Sequence, residues 1–121
     1  MKHVLIVDDS EQIRKRLAAL LAESSRIRIV GQTGDGPETL KAIERLNPDT
    51  VILDIRLPGC SGIEVLKQIK AHHPHIQVIM LTNHDHAIYR QQCRQLGADR
   101  FLNKTREFEK IVASILGEPT Q

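Results

Sequence analysis

Three carboxylates, a hydroxyl and an ammonium stand at equivalent places along this chain. Asp8 and Asp9 follow the apolar run VLIV, Asp54 follows TVIL, Thr82 follows VIML, and Lys104 follows RFLN. If each run is a strand of one parallel sheet, the five groups meet at its carboxyl edge, where open α/β sheets place their ligands. Clustered carboxylates without a histidine or cysteine cage suit magnesium, or manganese, which keeps water and accepts substrate phosphate oxygens. Lys104 adds a fixed positive charge against developing phosphoryl oxygens. An anionic nucleophile approaching an anionic donor needs that neutralisation, so the pattern predicts metal-assisted chemistry on a phosphoryl group.

Taken singly, these residues read less sharply. Asp8 and Asp9 fit equally well as caps for a first helix, since Asp is favoured at an N-cap and stabilises the positive helix end. Asp54 is harder to explain that way, because no helix starts within reach and a carboxylate after four apolar residues must find a partner. Thr82 alone is a β-branched residue at a strand end. Lys104 alone is an ordinary surface lysine, and Phe101 alone is core packing.

The elements that must position them alternate regularly. Strands are predicted at about Val4–Val7, in RIRIVG, at TVIL, at about Gln77–Leu81 and at about Arg100–Leu102. RIRIVG alternates in polarity, as an edge strand does, whereas the other long runs are continuous, as strands covered on both faces are. A first helix begins near Ser10 with Ile13, Leu17, Leu20 and Leu21 on one face. The second starts at Gly36-Pro37, turns Leu40, Ile43 and Leu46 inward and stops at Asn47-Pro48. Ser61 and Glu64 have capping-box spacing for a third helix with Ile63, Leu66 and Ile69, ending near His72-His73-Pro74. Tyr89, Cys93 and Leu96 share a face of the fourth before Gly97, and Phe108, Ile111, Val112 and Ile115 mark the fifth before Gly117. Alternating βα units predict a doubly wound α/β domain with a five-stranded parallel sheet and helices on both faces.

At 121 residues the chain holds one core. Residues 1–117 are read as that unit and 118–121 as a tail. With 40% apolar and 26% charged residues the composition is globular. The longest apolar runs fall far short of the roughly 20 residues that span a bilayer, and the N-terminus has no signal-like apolar stretch, so no membrane association and a cytoplasmic location are expected. A formal charge of +2 and three aromatics, Tyr89, Phe101 and Phe108, offer no stacking platform for nucleic acid, so no direct nucleic-acid contact is expected. Cys60 and Cys93 fit no close-spaced metal or redox pattern and read as free thiols. His72, His73, His75, His84 and His86 lack zinc-helix spacing and read as solvated loop residues. The run Arg14, Lys15, Arg16 reads as a solvated helix face.

VLIVDDS, VILDIRLPGCSG, VIMLT and LGADRFLNK, in that order and at that spacing, resemble the receiver domain of bacterial two-component response regulators. The resemblance implies the flavodoxin-like strand order 2-1-3-4-5 and five helices. It also implies roles for individual residues. Asp54 would accept the phosphoryl group. Asp9 would bind magnesium directly and Asp8 through water, with Asp54 and the backbone carbonyl of Arg56 completing the protein's share of the shell. Thr82 and Lys104 would bind the transferred group, and Phe101 would change rotamer with Thr82. The implied donor is a histidine kinase or phosphotransfer protein, and the first helix is the expected kinase contact. The implied output is binding, as a homodimer or to an effector through helix four, strand five and helix five, rather than catalysis on an external substrate.

Two positions depart from the family pattern. Asn83 stands where a very small residue is usual after the switch threonine, which predicts slower access to the acceptor. Thr105 stands where proline usually follows the active-site lysine in a cis peptide. Because cis before a non-proline residue costs roughly 2.5–4 kcal/mol, the Lys104–Thr105 bond is expected to be trans. Thr105 is then expected to cap helix five, its hydroxyl accepting from Glu107 or Phe108, and the altered loop to loosen the contact between Lys104 and Asp54. Beside the switch stand three other readings: a metal-dependent phosphohydrolase, a phosphorylation-independent adaptor of the same shape, and the receiver half of a DNA-binding regulator.

Overall fold

A computed structural model describes residues 1–119; positions 120 and 121 of the expected tail lie outside the described residues. Five strands alternate with five α-helices: β1 (Lys2–Val7), α1 (Glu11–Leu21), β2 (Ile27–Thr33), α2 (Gly36–Leu46), β3 (Thr50–Leu53), α3 (Gly62–His72), β4 (Gln77–Thr82), α4 (Ala87–Gln95), β5 (Arg100–Asn103) and α5 (Ile111–Leu116). A single 3₁₀ turn, Phe108–Lys110, leads into α5. The sheet is parallel throughout, in the order β2-β1-β3-β4-β5. The strand with alternating polarity is indeed at the edge, and its pairing with β1 skips Val30.

Strand alternation divides the interior into two layers. Leu5, Val7, Val51, Leu53, Val78 and Met80 face α2, α3 and α4, where they meet Ala42, Ile43, Val65, Leu66, Ile69 and Cys93. Val4, Ile6, Ile52, Ile79, Leu81 and Leu102 face α1 and α5, against Leu17, Leu21, Ile111 and Ile115. Every residue of β3 is buried, as expected of a central strand covered on both sides. Helix faces are shifted from the expected ones in two places: Thr39 and Ala42 are buried in α2 while Leu40 and Leu46 are only partly covered, and Val65 rather than Ile63 is fully buried in α3.

Local sequence sets most helix ends. Ser10, Asp35 and Ser61 each cap a helix by accepting a backbone N–H three residues on. The capping box at Ser61 is half formed, because the Glu64 carboxylate accepts instead from Gln68 Nε2 at 3.1 Å. Asn47 closes α2 in the left-handed region, with φ 48°. Among the described residues no helix is long and apolar enough to cross a membrane.

Both cysteines are free. Cys93 is fully buried, and burial pushes its thiol from the ordinary 9.0 up to about 11. Burial also raises the half-buried Cys60, helped by the charges of Glu64 and Asp35. Between pH 9.0 and about 11 the unfolded chain releases the Cys93 proton while the folded chain keeps it. Stability is therefore full below that window and falls as pH rises through it, by about 2–3 kcal/mol in all. The Cys93→Ala variant should lose this share of the alkaline decline in urea-unfolding curves. An unchanged slope would contradict the assignment.

Candidate functional site

The carboxyl ends of β1, β3 and β5 bring Asp8, Asp9, Asp54 and Lys104 together. Asp8 and Asp54 leave the sheet almost completely buried, and Asp9, one residue further round the turn, is exposed. Ligand atoms of the three carboxylates lie within 4.8 Å of one another. Lys104 Nζ sits between two of them, 2.6 Å from Asp8 Oδ2 and 2.6 Å from Asp54 Oδ2. Asp8 does not cap α1, which is the work of Ser10. Its second oxygen accepts from the Ser10 N–H at 2.8 Å, and Asp54 Oδ1 accepts from the Ile55 N–H at 2.7 Å.

The electrostatics are unbalanced. Burial pushes the Asp8 carboxyl above its ordinary value, and the hydrogen bond from Lys104 only partly offsets it while Asp54 adds repulsion. Burial alone would lower Lys104, but the hydrogen bonds to Asp54 and Asp8 outweigh it and raise the ammonium above 10.5. The two partners thus disagree in sign about a simple ion pair, and the geometry explains why: one ammonium serves three carboxylates. Two negative charges remain, which is the deficit a divalent cation neutralises. The all-oxygen donor set, with neither thiolate nor imidazole, is the chemistry that magnesium or manganese prefers.

Gly62 lets α3 approach this edge. A Cβ there would lie 1.8 Å from the Asp54 carbonyl oxygen, so only glycine lets the helix start so close behind the acid. The loop between Asp54 and Ser61 borders an open depression of about 700 Å³ beside Asp9, walled by Arg56, Leu57, Pro58, Ile63 and Tyr89.

Thr82 ends β4, fully buried, and its hydroxyl accepts from the His84 N–H at 3.1 Å. Phe101 pairs with Met80 across the sheet, which places it on the same face as Thr82 and diagonal to it. Its ring is half-buried beneath the Arg90 guanidinium, 4.7 Å from the ring centroid.

The loop after Lys104 departs from expectation. The Lys104–Thr105 bond is trans, as anticipated. The expected Thr105 cap is absent: the Thr105 hydroxyl instead reaches Asn83 Oδ1 at 2.9 Å, and the helix opens as a 3₁₀ turn with no side-chain cap. Asn103 organises the loop in its place, its side-chain oxygen accepting from the N–H groups of Thr105 at 2.9 Å and Arg106 at 2.8 Å. Its amide donates to Asp85 Oδ2 at 3.0 Å, which, with Arg106 and Arg90 nearby, holds the Asp85 carboxyl below its ordinary value. Nor is the contact between Lys104 and Asp54 loosened, at 2.6 Å. Side chain replaces proline here: an Asn that satisfies two loop amides fixes the turn without a ring.

The basic run is also more engaged than a solvated face. Arg14 donates to the Asp8 carbonyl at 2.5 Å, and Arg16 lies 4.4 Å over the Phe108 ring, while among the described residues Lys15 pairs only with exposed Glu11. Position alone foretold neither contact, but Arg14 sits one turn into a helix that opens beside the acids, where a long cation can reach back.

Residues 4–116 match the family described as the response regulator receiver domain. The chain belongs to that family. Its fold is the receiver fold, and receiver domains are signalling domains of two-component systems that typically bind Mg²⁺ at an acidic pocket. The receiver is 31% identical over 115 residues to the response regulator GacA of Pseudomonas viridiflava, covering 95% of this chain and 54% of that protein. It is 39% identical to the sensory transduction protein RegX3 of Mycolicibacterium smegmatis, covering 95% and 49%. The chain therefore spans about half the length of these relatives. Among solved structures, a DNA-binding response regulator of the LuxR family from Staphylococcus aureus superposes with a TM-score of 0.90 at 31% identity, covering 97% of this chain and 98% of that one. The receiver domain of the putative response regulator NarL from Mycobacterium tuberculosis gives 0.89 at 29%, covering 96% and 94%.

Proposed function

We propose that this receiver takes a phosphoryl group onto Asp54 from a phosphohistidine of a histidine kinase or phosphotransfer protein. An Asp54 carboxylate oxygen forms the new P–O bond as the donor's P–N bond breaks, and the imidazole leaves. Asp8, Asp9, Asp54 and the Arg56 carbonyl would hold Mg²⁺, whose charge would offset that of the transferring group. Lys104 pairs with a second phosphoryl oxygen once the Asp54 charge it now serves is masked as an acyl phosphate. Thr82, whose oxygen accepts from the His84 N–H, keeps its own hydrogen free to donate to a third. That movement opens space on the face it shares with Phe101, and the ring turns inward, changing the surface of α4, β5 and α5. Residues 1–117 carry the whole device.

The observation that carries this reading is one ammonium held 2.6 Å from each of two nearly buried carboxylates, with a third acid within 4.8 Å. A structural ion pair needs one acid, and a second and third beside it raise the cost of folding unless a further cation is part of the working state. Incubation with acetyl phosphate and magnesium, read by intact mass, is expected to add one phosphoryl group per chain and none in excess chelator. Equal labelling without metal refutes the proposal.

The chain covers about half of GacA and RegX3, and a Staphylococcus aureus regulator of the same fold is named as DNA-binding; together these favour a second reading, in which this receiver governs a further domain that binds DNA. The site chemistry is the same in both readings, and only the output differs.

A further inference from the structure

The two positions at which this chain departs from the family pattern touch each other. The Thr105 hydroxyl donates to Asn83 Oδ1 at 2.9 Å, joining the residue after Thr82 to the residue after Lys104. At the end of the sheet Thr82 pairs with Asn103, and the Lys104 N–H donates to the Thr82 carbonyl at 3.0 Å. Side chains carry this pairing on into the two loops. Beyond the Asn83 contact, Asp85 Oδ2 accepts from Asn103 Nδ2 at 3.0 Å and from the Arg106 guanidinium at 2.6 Å. Between the grips on Asn83 and Asp85 lies His84, whose N–H donates to the Thr82 hydroxyl at 3.1 Å.

We propose that Asn83 and Thr105 are positioning residues that act on Thr82: their bond latches the resting state and must open before the Thr82 hydroxyl reaches a phosphoryl group on Asp54. This inference rests on the phosphorylation reading above. Thr82 can leave its seat only by breaking its bond to the His84 N–H or by taking residues 83–85 with it. The first strips that N–H of its partner, and the second is resisted at Asn83 and Asp85 alike. Lys104 is already at Asp54, 2.6 Å away, so the loop that carries Thr105 is a fixed post against which the other loop is held. The bond thus stabilises one of two states, and a ligand that needs the other binds with an apparent affinity reduced in proportion to the unlatched fraction.

Bulk at Asn83 makes a different prediction from the bond. If size alone mattered, Thr105 would be irrelevant; if the bond matters, removing either partner has the same effect. Asn83 and Thr105 are both exposed and neutral, so substitutions there leave the charge of the site and the core unchanged.

The test uses magnesium with beryllofluoride, a phosphoryl mimic, as probe, followed by titration calorimetry. Thr105→Val removes the hydroxyl at nearly constant shape, and Asn83→Ala removes the acceptor. Each should tighten binding of the mimic by about twofold to tenfold, the range that one neutral hydrogen bond spans. The double variant should gain no more than either single one, because both changes break the same bond. Magnesium alone, which meets the acids and not Thr82, should bind wild type and variants equally. A gain in Asn83→Ala without one in Thr105→Val, additive gains in the double variant, a shift in the affinity for magnesium alone, or mimic binding that is unchanged or weakened in both single variants each overturns the latch. If wild type neither binds the mimic nor gains mass from acetyl phosphate, the phosphorylation reading has failed, and amide exchange in the unmodified protein still judges the bond. The His84 N–H should then exchange faster in both single variants by about the same twofold to tenfold, and unchanged exchange in either one overturns the latch.

Discussion

Asp54→Asn is expected to take up no phosphoryl group while folding normally and gaining about 1 kcal/mol of stability in metal-free buffer. The two effects have one origin. The carboxylate oxygen that forms the P–O bond is replaced by a neutral amide of the same shape, which is a far weaker nucleophile. The same change removes a buried charge that sits beside Asp8 and Asp9, all within 4.8 Å, and leaves Lys104 paired with Asp8 alone at 2.6 Å. Replacing a poorly compensated buried charge by a neutral isostere is commonly neutral or stabilising, whereas removing the only cation is not. Intact mass after acetyl phosphate treatment and urea unfolding without metal check both halves. Wild-type labelling in the variant would move the acceptor elsewhere, and a loss of stability would show that the Lys104–Asp54 pair outweighs the repulsion it sits among.

Features that leave a local pattern in the chain were legible in the sequence, and those that depend on contacts between distant loops were not. The continuous runs VLIV, TVIL and QVIML announced strands covered on both faces, and RIRIVG announced an edge, because burial on one face or two leaves its period in the chain. Ser10, Asn47 and Ser61 announced helix ends because caps act within a few residues. The convergence of Asp8, Asp9, Asp54 and Lys104 followed from topology alone, since parallel strands deliver their last residues to one edge. What escaped depends on side chains that span the gaps between loops. Asn103 looked like the last residue of a strand, yet it satisfies the amides of Thr105 and Arg106, so the expected cap by Thr105 lost to an acceptor two residues earlier. Thr105 was left free to reach Asn83 across the mouth of the site. Arg14 looked like one of three solvated cations, and only the approach of its helix to the β1 turn sets its guanidinium on the Asp8 carbonyl.

Lys104→Met should be the most destabilising single change at this site, by about 3–5 kcal/mol in metal-free buffer at neutral pH. Asp8 and Asp54 side chains are 2% and 6% exposed, so water cannot replace the ammonium that now touches both. The pH dependence has a definite sign. In wild type, Lys104 is raised above 10.5, so its contribution is fully present below that pH and is lost as pH rises through the folded value. Asp8 is raised above 3.8, mainly by burial, so the folded chain holds that proton more tightly than the unfolded one and stability declines as pH rises through the folded Asp8 value. Deleting Lys104 deepens this second decline, and the deficit of the variant should therefore shrink in acid, where the carboxylates are protonated. Magnesium should also restore more stability to Lys104→Met than it adds to wild type, provided the acids still bind it. A ligand present at a hundred times its dissociation constant contributes about 2.7 kcal/mol to any protein that binds it only when folded. The difference arises because the cation relieves a larger unpaired charge in the variant. Urea unfolding at neutral and acidic pH, each with chelator and with magnesium, separates these terms. A loss below about 1 kcal/mol at neutral pH, the value typical of an exposed pair, would mean that solvent reaches the acids more freely than their burial allows and that Lys104 serves the phosphoryl group alone.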